Sequence, residues 1–382
     1  MNDTKGIYIK ENSFAGLSLN KDHTYNIDNM VVSLKEKLPT ISRKKRDIIL
    51  RVISDLELCS RGSCTDLFSI LPHVNEELQR IKEENIVDYI YYRYRYDIFP
   101  KTQEVDEYPP VIQIEPSSSC NYRCVFCFQT DKKLTTRQNG HMGQMEMQLF
   151  KDIVDQIENN VFSITLASRG EPLINRDIGK MLNYTKNKFL AIKLNTNASL
   201  LNDDLSRDIL ESGINTLVFS ADASGEPLYS KLRVNGKFEN IIKNIKRFNE
   251  IRNSEYSKSN IITRVAGVKF DDEQNMEDME SVWGKLVDQI AFVKYNPWEN
   301  TYTRPKNQIK SACSDLWRRM FIWWDGRCNP CDVDYLSKLE TGRIQDKTIS
   351  DIWTGDRYAY IRKKHQQKQR NHFDPCKRCT QV

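Results

Sequence analysis

At 382 residues the chain has room for two or three domains with a proper core. Hydrophobic residues make up 39% of it, and no apolar run approaches the ~20 residues that cross a bilayer, which argues against a membrane-embedded protein. A net charge of +5 is too mild to demand a nucleic-acid partner.

Ten cysteines in a chain this long are too sparse for a disulfide scaffold. Met1-Asn2-Asp3-Thr4-Lys5 lacks the basic and then apolar order of a secretion signal. Clustered Cys-x2-Cys units without such a signal point to metal in a reducing compartment, so a cytoplasmic location is expected.

In residues 1–108, Arg43-Lys44-Lys45-Arg46-Asp47 leads into an amphipathic helix through residues 48–53. A second short helix is expected over 66–71, and a third opens at His73 and runs through Leu78 and Ile81 to Ile86. Tyr92-Arg93-Tyr94-Arg95-Tyr96 alternates as a strand or hairpin arm would. Three helices and a β arm fit either a winged-helix unit or a helical cap packed on a neighbouring domain. Cys59 and Cys64, with no third ligand nearby, are expected to be ordinary reduced cysteines.

The turn-rich Asp106-Glu107-Tyr108-Pro109-Pro110 marks a boundary. After it, strands expected at 111–115, 162–166, 190–195, 216–220, 261–268 and 290–295 alternate with helical segments, which implies a parallel sheet. Six β/α units are too few to close an eight-stranded barrel. An α/β partial (β/α)6 barrel is expected over 109–310, with its chemistry at the C-terminal rim. A smaller domain is expected over 311–382.

Cys120-Asn121-Tyr122-Arg123-Cys124-Val125-Phe126-Cys127 follows the first of these strands. Three thiolates spaced Cys-x3-Cys-x2-Cys can hold three irons of a [4Fe–4S] cluster and leave the fourth open. Zinc would want a fourth ligand, and the closest later candidate is His141. The spacing resembles that of the radical S-adenosylmethionine (SAM) enzymes, whose partial barrels have this same unit count. The resemblance implies reductive cleavage of SAM to a 5′-deoxyadenosyl radical by a cluster on Cys120, Cys124 and Cys127.

Further positions are implied by the same resemblance. Gly170, Glu171 and Pro172, after the second strand, match the motif that contacts the methionine amino group, although Gly225-Glu226-Pro227 repeats it later. Asn195 and Ser220, at the ends of strands three and four, would meet the ribose and carboxylate. Arg233 would face the carboxylate, and Phe126 would lie beside adenine. Arg264, Lys294 and Tyr295, together with Lys193, are charged or polar strand positions that suit a polar substrate if they face the lumen. If they face the outer helices they are snorkelling side chains.

Cys313, Cys331, Cys376 and Cys379 supply four more thiolates, with residues 323–326 read as a hairpin turn between the first two. Cys328 is an alternative to Cys331, and a structural zinc is an alternative to iron. The arrangement resembles the SPASM/twitch extensions of radical SAM enzymes. With no cysteine between Tyr335 and Phe373, the shorter twitch form fits, as in 2-deoxy-scyllo-inosamine dehydrogenase-type enzymes. It implies one fully ligated auxiliary [4Fe–4S] cluster that accepts an electron. The expected partners are SAM, a small polar substrate such as a carbohydrate or cyclitol alcohol, and an external one-electron reductant of flavodoxin or ferredoxin type. The alternative is a maturase acting on a precursor peptide. Residues 357–378 are basic, but their aromatics lie at the two ends, so a nucleic-acid patch is not expected.

Overall fold

The computed structural model describes residues 7–9, 27–60, 62, 66–270, 272–295 and 297–381. Six short runs rich in β-branched residues form parallel strands: β2 (Val111–Ile114), β4 (Ser163–Leu166), β5 (Ala191–Thr196), β6 (Thr216–Ser220), β8 (Ile262–Lys269) and β9 (Gln289–Lys294). They lie side by side in chain order, as an α/β partial barrel requires.

The sheet extends beyond these six. β1 (Ile7–Ile9) pairs antiparallel with β9 at one edge. At the other, β10 (Arg319–Ile322) adds parallel to β2, from Arg319 opposite Val111 to Ile322 opposite Ile114. β11 (Arg327–Asn329) and β12 (Gly342–Arg343) continue it antiparallel. The hairpin expected at 323–326 is present, with Gly326 N–H donating to Trp323 O at 2.9 Å. The C-terminal region is therefore joined to the barrel by sheet hydrogen bonds across the boundary expected at 310.

Period-two alternation sorts the side chains. Ile112, Ile114, Ile164, Leu166, Leu194, Leu217, Phe219 and Val265 enter the main core. They pack there with residues of helices α5 (Met147–Ile157), α6 (Ile178–Tyr184), α7 (Asp203–Glu211), α8 (Phe238–Glu255) and α9 (Met276–Trp283). Each fully buried Leu or Ile is worth roughly 1.5–3 kcal/mol. The alternate positions carry Gln113, Thr165, Lys193, Asn195 and Arg264, which line a cavity on the opposite, lumenal face.

Helices α1 (Ile27–Lys37), α2 (Arg43–Ser60), α3 (Pro72–Leu78) and α4 (Ile86–Thr102) precede the barrel. Their own core takes in Val111 and is flanked by Phe162 and Leu190, so they cap the N-terminal ends of β2, β4 and β5. Tyr92 to Tyr96, expected as a β arm, lie inside α4. Alternation misleads there because α4 is covered on all sides: Tyr89, Tyr92, Arg93, Tyr94 and Arg95 are all buried. Residues 66–71 form a turn and extended chain and not a helix. The helical cap, not the winged helix with its β arm, is what residues 27–108 form among the described residues. Cys59 is disulfide-bonded, against the expectation of a reduced thiol, and Cys64 lies outside the described residues. Among the described residues, no helix is long and apolar enough to cross a membrane.

Candidate active site

The loop after β2 is braced from both sides. β3 (Arg123–Cys124) pairs antiparallel with β7 (Arg233–Val234), setting Cys124 opposite Arg233. Val125 N–H donates to Leu232 O at 3.0 Å. Burial pushes the Cys120 thiol up to about 12 and raises Cys124 and Cys127 as well. Each of Cys120 and Cys127 also feels the charge of Cys124. Thiols in this state suit a cationic centre, since metal charge does for the thiolates what water cannot. Donors stand ready: Tyr122 N–H lies 3.4 Å from Cys120 Sγ, Asn197 Nδ2 4.0 Å from the same sulfur, and Arg233 Nη1 3.9 Å from Cys124 Sγ. The residues present therefore fit a three-thiolate iron–sulfur cluster, whose sulfurs accept such bonds.

Gly170 packs against the backbone that leads into this loop. A Cβ there would lie 2.4 Å from both Ser117 O and Ser119 O, so only glycine fits. Glu171 N–H donates to Ser119 O at 2.8 Å. Its carboxylate accepts from Thr196 Oγ1 at 2.6 Å, Asn197 N–H at 2.7 Å and Leu173 N–H at 3.1 Å. Glu171 thus ties the ends of β4 and β5 to the cysteine loop, with Pro172 opening the short helical turn that follows. The second Gly-Glu-Pro does something different. Glu226 is exposed and accepts from Ser230 Oγ and Phe238 N–H, which caps α8.

Asn195 carries a buried Oδ1 with no hydrogen-bond partner among the described residues, in the lumen below the rim. Ser220 ends β6, half-buried. Arg233, expected to face a carboxylate of SAM, is buried against Asp222, with Nε 2.6 Å from Oδ2. Asp222 also accepts from Val268 N–H at 2.6 Å, so the pair links β6, β8 and the cysteine loop. Phe126 stands 5.6 Å from Phe270, and Phe270 stands 4.8 Å from Tyr295, forming an aromatic row at the rim. The Tyr295 hydroxyl donates to Glu299. The side chain of Lys294 lies outside the described residues.

Arg264 is elsewhere. It faces the lumen and donates Nε to Gln289 Oε1 at 2.8 Å. Six residues separate it from Phe270, roughly 20 Å at about 3.3 Å per strand residue. It therefore belongs to the base of the barrel and does not reach the rim.

One feature of the rim escaped the sequence reading. Glu115 and Arg169, both completely buried, form a two-pronged pair at 2.6 and 2.8 Å. Arg169 also donates to Tyr335 O at 2.9 Å and lies 4.3 Å over the Trp323 ring. It couples the Gly170 turn to the C-terminal region. Its only sequence signal is position, directly before Gly170, with Glu115 at a strand end.

In the C-terminal region Cys331 is raised by burial and by the charges of Cys376, Asp334, Cys313 and Cys379. Cys376 likewise feels Cys313 and Cys379. Cys328 has different charged neighbours. It sits in β11 opposite Ile322, its charged neighbours are Glu340 and Asp325, and its Sγ lies 3.8 Å from Gly326 O. Arg370 and Asn307 both donate to Cys379 O, at 3.1 and 3.0 Å, and Cys313 N–H donates to His365 Nδ1 at 3.2 Å. Among the described residues no three His, Cys, Asp or Glu side chains converge as ligands of a single ion. Four thiols within reach of one another's charge suit a four-thiolate centre.

Comparison with known proteins agrees with this geometry. Residues 313–380 match the SPASM iron–sulfur cluster-binding domain. The chain is 22% identical over 306 residues to the tungsten-containing aldehyde ferredoxin oxidoreductase cofactor-modifying protein of Pyrococcus furiosus, covering 66% of this chain and 82% of that one. It is 21% identical over 282 residues to the S-adenosyl-L-methionine-dependent 2-deoxy-scyllo-inosamine dehydrogenase of Niallia circulans, covering 73% and 95%. Among solved structures, native anSMEcpe with bound AdoMet and Cp18Cys peptide shares the fold at a TM-score of 0.52 and 14% identity, covering 70% of this chain and 87% of that one. Residues 114–280 match the radical SAM superfamily, so the chain carries a radical SAM domain followed by a SPASM domain, the domains of an enzyme that uses SAM and a [4Fe–4S] cluster.

Proposed function

We propose that the protein is a radical SAM oxidoreductase that oxidises a small polar substrate, such as a carbohydrate or cyclitol alcohol. In this reading residues 1–108 are an accessory unit, 109–310 the radical-generating barrel and 311–382 the auxiliary-cluster domain. Cys120, Cys124 and Cys127 hold the SAM-binding cluster, and Cys313, Cys331, Cys376 and Cys379 hold the auxiliary one. The chemistry supplied there is reductive cleavage of SAM to a hydrogen-abstracting radical, with an external one-electron reductant of flavodoxin or ferredoxin type.

The chain's own residues bind, orient and shield. Gly170, Glu171 and Pro172 hold the loop that receives the methionine end, Asn195 and Ser220 offer polar contacts below it, and Phe126 offers a ring face to adenine. Arg233, paired with Asp222, acts through Cys124 as a positioning residue. Lys294 and Tyr295 are the candidates to act on the proton of a substrate hydroxyl.

The observation that carries the oxidation is the second, closed thiol set. Cys313, Cys331, Cys376 and Cys379 would hold a cluster with no position left for substrate, and it would supply an acceptor for the electron released when an alcohol C–H is oxidised to a ketone. The hydrogen atom would go to the SAM-derived radical, the hydroxyl proton to a base and the remaining electron to that acceptor.

Anaerobic turnover against a polyol panel tests this. The expected result is 5′-deoxyadenosine and ketone in equal amounts, with ketone lost in Cys331→Ala while SAM cleavage persists. Ketone formation undiminished in that variant would overturn the electron-acceptor role. A second reading, peptide maturation, draws on the peptide-bound anSMEcpe relative, and a cross-linked or oxidised peptide product would favour it.

A further inference from the structure

Below the rim, between α4 and the N-terminal halves of the strands, lies a cavity of about 990 Å³. Its walls come from Val111, Ser163, Leu190, Thr216 and Ile262 at the strand bases and from Tyr92 of the cap. The cysteine loop, the Gly170 turn and the Phe126–Phe270–Tyr295 row take no part in it. It reaches no higher on β5 than Asn195. That volume is at the upper end of the roughly 300–1,000 Å³ of sites that hold small molecules.

Lys193 projects into this space. It is half-buried and faces the cavity, and no hydrogen bond or ion pair holds it among the described residues. The cavity walls carry five cations, Lys193, Arg80, Arg93, Arg264 and Arg319, against two carboxylates, Glu77 and Asp97. The other charges are already engaged: Arg93 pairs with Asp97 at 2.9 Å, Glu77 accepts from the Tyr89 hydroxyl, and Arg319 donates to the Tyr96 hydroxyl. Arg264 donates to the neutral amide of Gln289. Burial, and then the Arg264 charge, pull the Lys193 amine down to about 7. Cations outnumber carboxylates on these walls, and gathering like charges with part of their water removed is costly, a cost that Val or Ile at this sheet position would not incur. Conventional packing gives no reason for a lysine here. An incoming anion does, because it supplies the missing charge.

We propose that this cavity is a binding site for a small organic anion, its carboxylate or phosphate head held by Lys193 and Arg264 and its apolar body lying against Tyr92, Val111 and Ile262. The site stands on groups at the base of the barrel. It does not depend on which substrate is oxidised at the rim.

The test uses the cluster-loaded full chain under anaerobic conditions, with benzoate and phenyl phosphate as probes. Benzamide serves as the uncharged isostere, and inorganic phosphate separates an organic ligand from the free ion. Two readouts are taken: the acylation rate of Lys193, mapped by peptide mass spectrometry, and the melting temperature. At least one aryl anion should slow Lys193 acylation tenfold or more at saturation and raise the melting temperature, while benzamide changes neither.

Lys193→Met should abolish the thermal shift, whereas Lys180→Met, at an exposed helical lysine, should keep it. Acylation within twofold of the control under both aryl anions would overturn the proposal, as would an equal thermal shift in Lys193→Met. Protection by inorganic phosphate as strong as by phenyl phosphate would overturn the organic part. If Lys193→Met does not fold, the wild-type footprint still decides, since it needs no variant.

Discussion

The two thiol sets are assembled in opposite ways. Cys120, Cys124 and Cys127 come from one eight-residue stretch, and the protein's effort goes into shaping the loop that carries them. Cys313, Cys331, Cys376 and Cys379 come from three segments up to 66 residues apart, and the effort goes into holding chain ends together. The loop is clamped by the β3–β7 pairing, by Gly170 against Ser117–Ser119 and by Glu171 across two strand ends. The distant set is fixed by Arg370, Asn307 and His365 reaching to the backbone of Cys379 and Cys313. A set built on one loop can leave an iron open without losing its shape. A set gathered from separate segments needs every thiol in use to stay gathered.

The largest effect should come from the open set. Cys124→Ala is expected to abolish 5′-deoxyadenosine formation altogether and to remove about half the iron from a chain that loads about eight, because each cluster keeps its own irons. Iron counting and chromatography of the reaction mixture check both. Retained cleavage would mean that Cys124 is not among the ligands.

The joint between the two regions is the next place to press. Glu115 and Arg169 are both completely buried, so Arg169→Met leaves a carboxylate without its partner in a dry site. The expected loss is about 3–5 kcal/mol of stability, read from urea unfolding. Because Arg169 also holds Tyr335 O, the auxiliary region should loosen with it. Glu115→Gln with Arg169→Met together should cost less than the single change, since no charge is then stranded.

The closed set offers a sharper contrast. Cys331→Ser should lose about half the iron, whereas Cys328→Ser should leave iron content unchanged, since only the first removes a cluster ligand. Equal losses in the two variants would mean that both sulfurs serve a cluster.

Much of this was legible in the sequence, and the exceptions share a cause. The six parallel strands showed themselves because short apolar runs alternated with helical periodicity, and the open cysteine set because its spacing is local. Tyr92–Tyr96 misled because period-two alternation was taken for a strand, when α4 is simply buried on every side. The β10–β2 pairing was hidden because its partners are 208 positions apart, Arg319 to Val111, and no local pattern announces them. The same holds for Glu115–Arg169. Arg264 faces the lumen, as a charged strand position suited to a polar substrate should. Its strand position puts it at the other end of the barrel.

The smallest expected effect comes from the two Gly-Glu-Pro turns, and it isolates what makes one of them a site. A Cβ on Gly170 would meet Ser117 O and Ser119 O at 2.4 Å, and these are backbone atoms that cannot swing aside. A Cβ on Gly225 would meet nothing within 4 Å. Gly170→Ala must therefore push the Glu171 turn away from the cysteine loop, stretching the 2.8 Å bond from Glu171 N–H to Ser119 O. It should lower SAM cleavage at least tenfold and weaken SAM binding in an equilibrium assay, with the iron count kept because no cysteine has changed. Gly225→Ala should leave cleavage unaltered and stability within about 0.5 kcal/mol of wild type, as expected of a surface position. If both variants cleave SAM alike, the close approach at Gly170 is ordinary packing, and SAM recognition must then rest on Asn195, Ser220 and the loop itself.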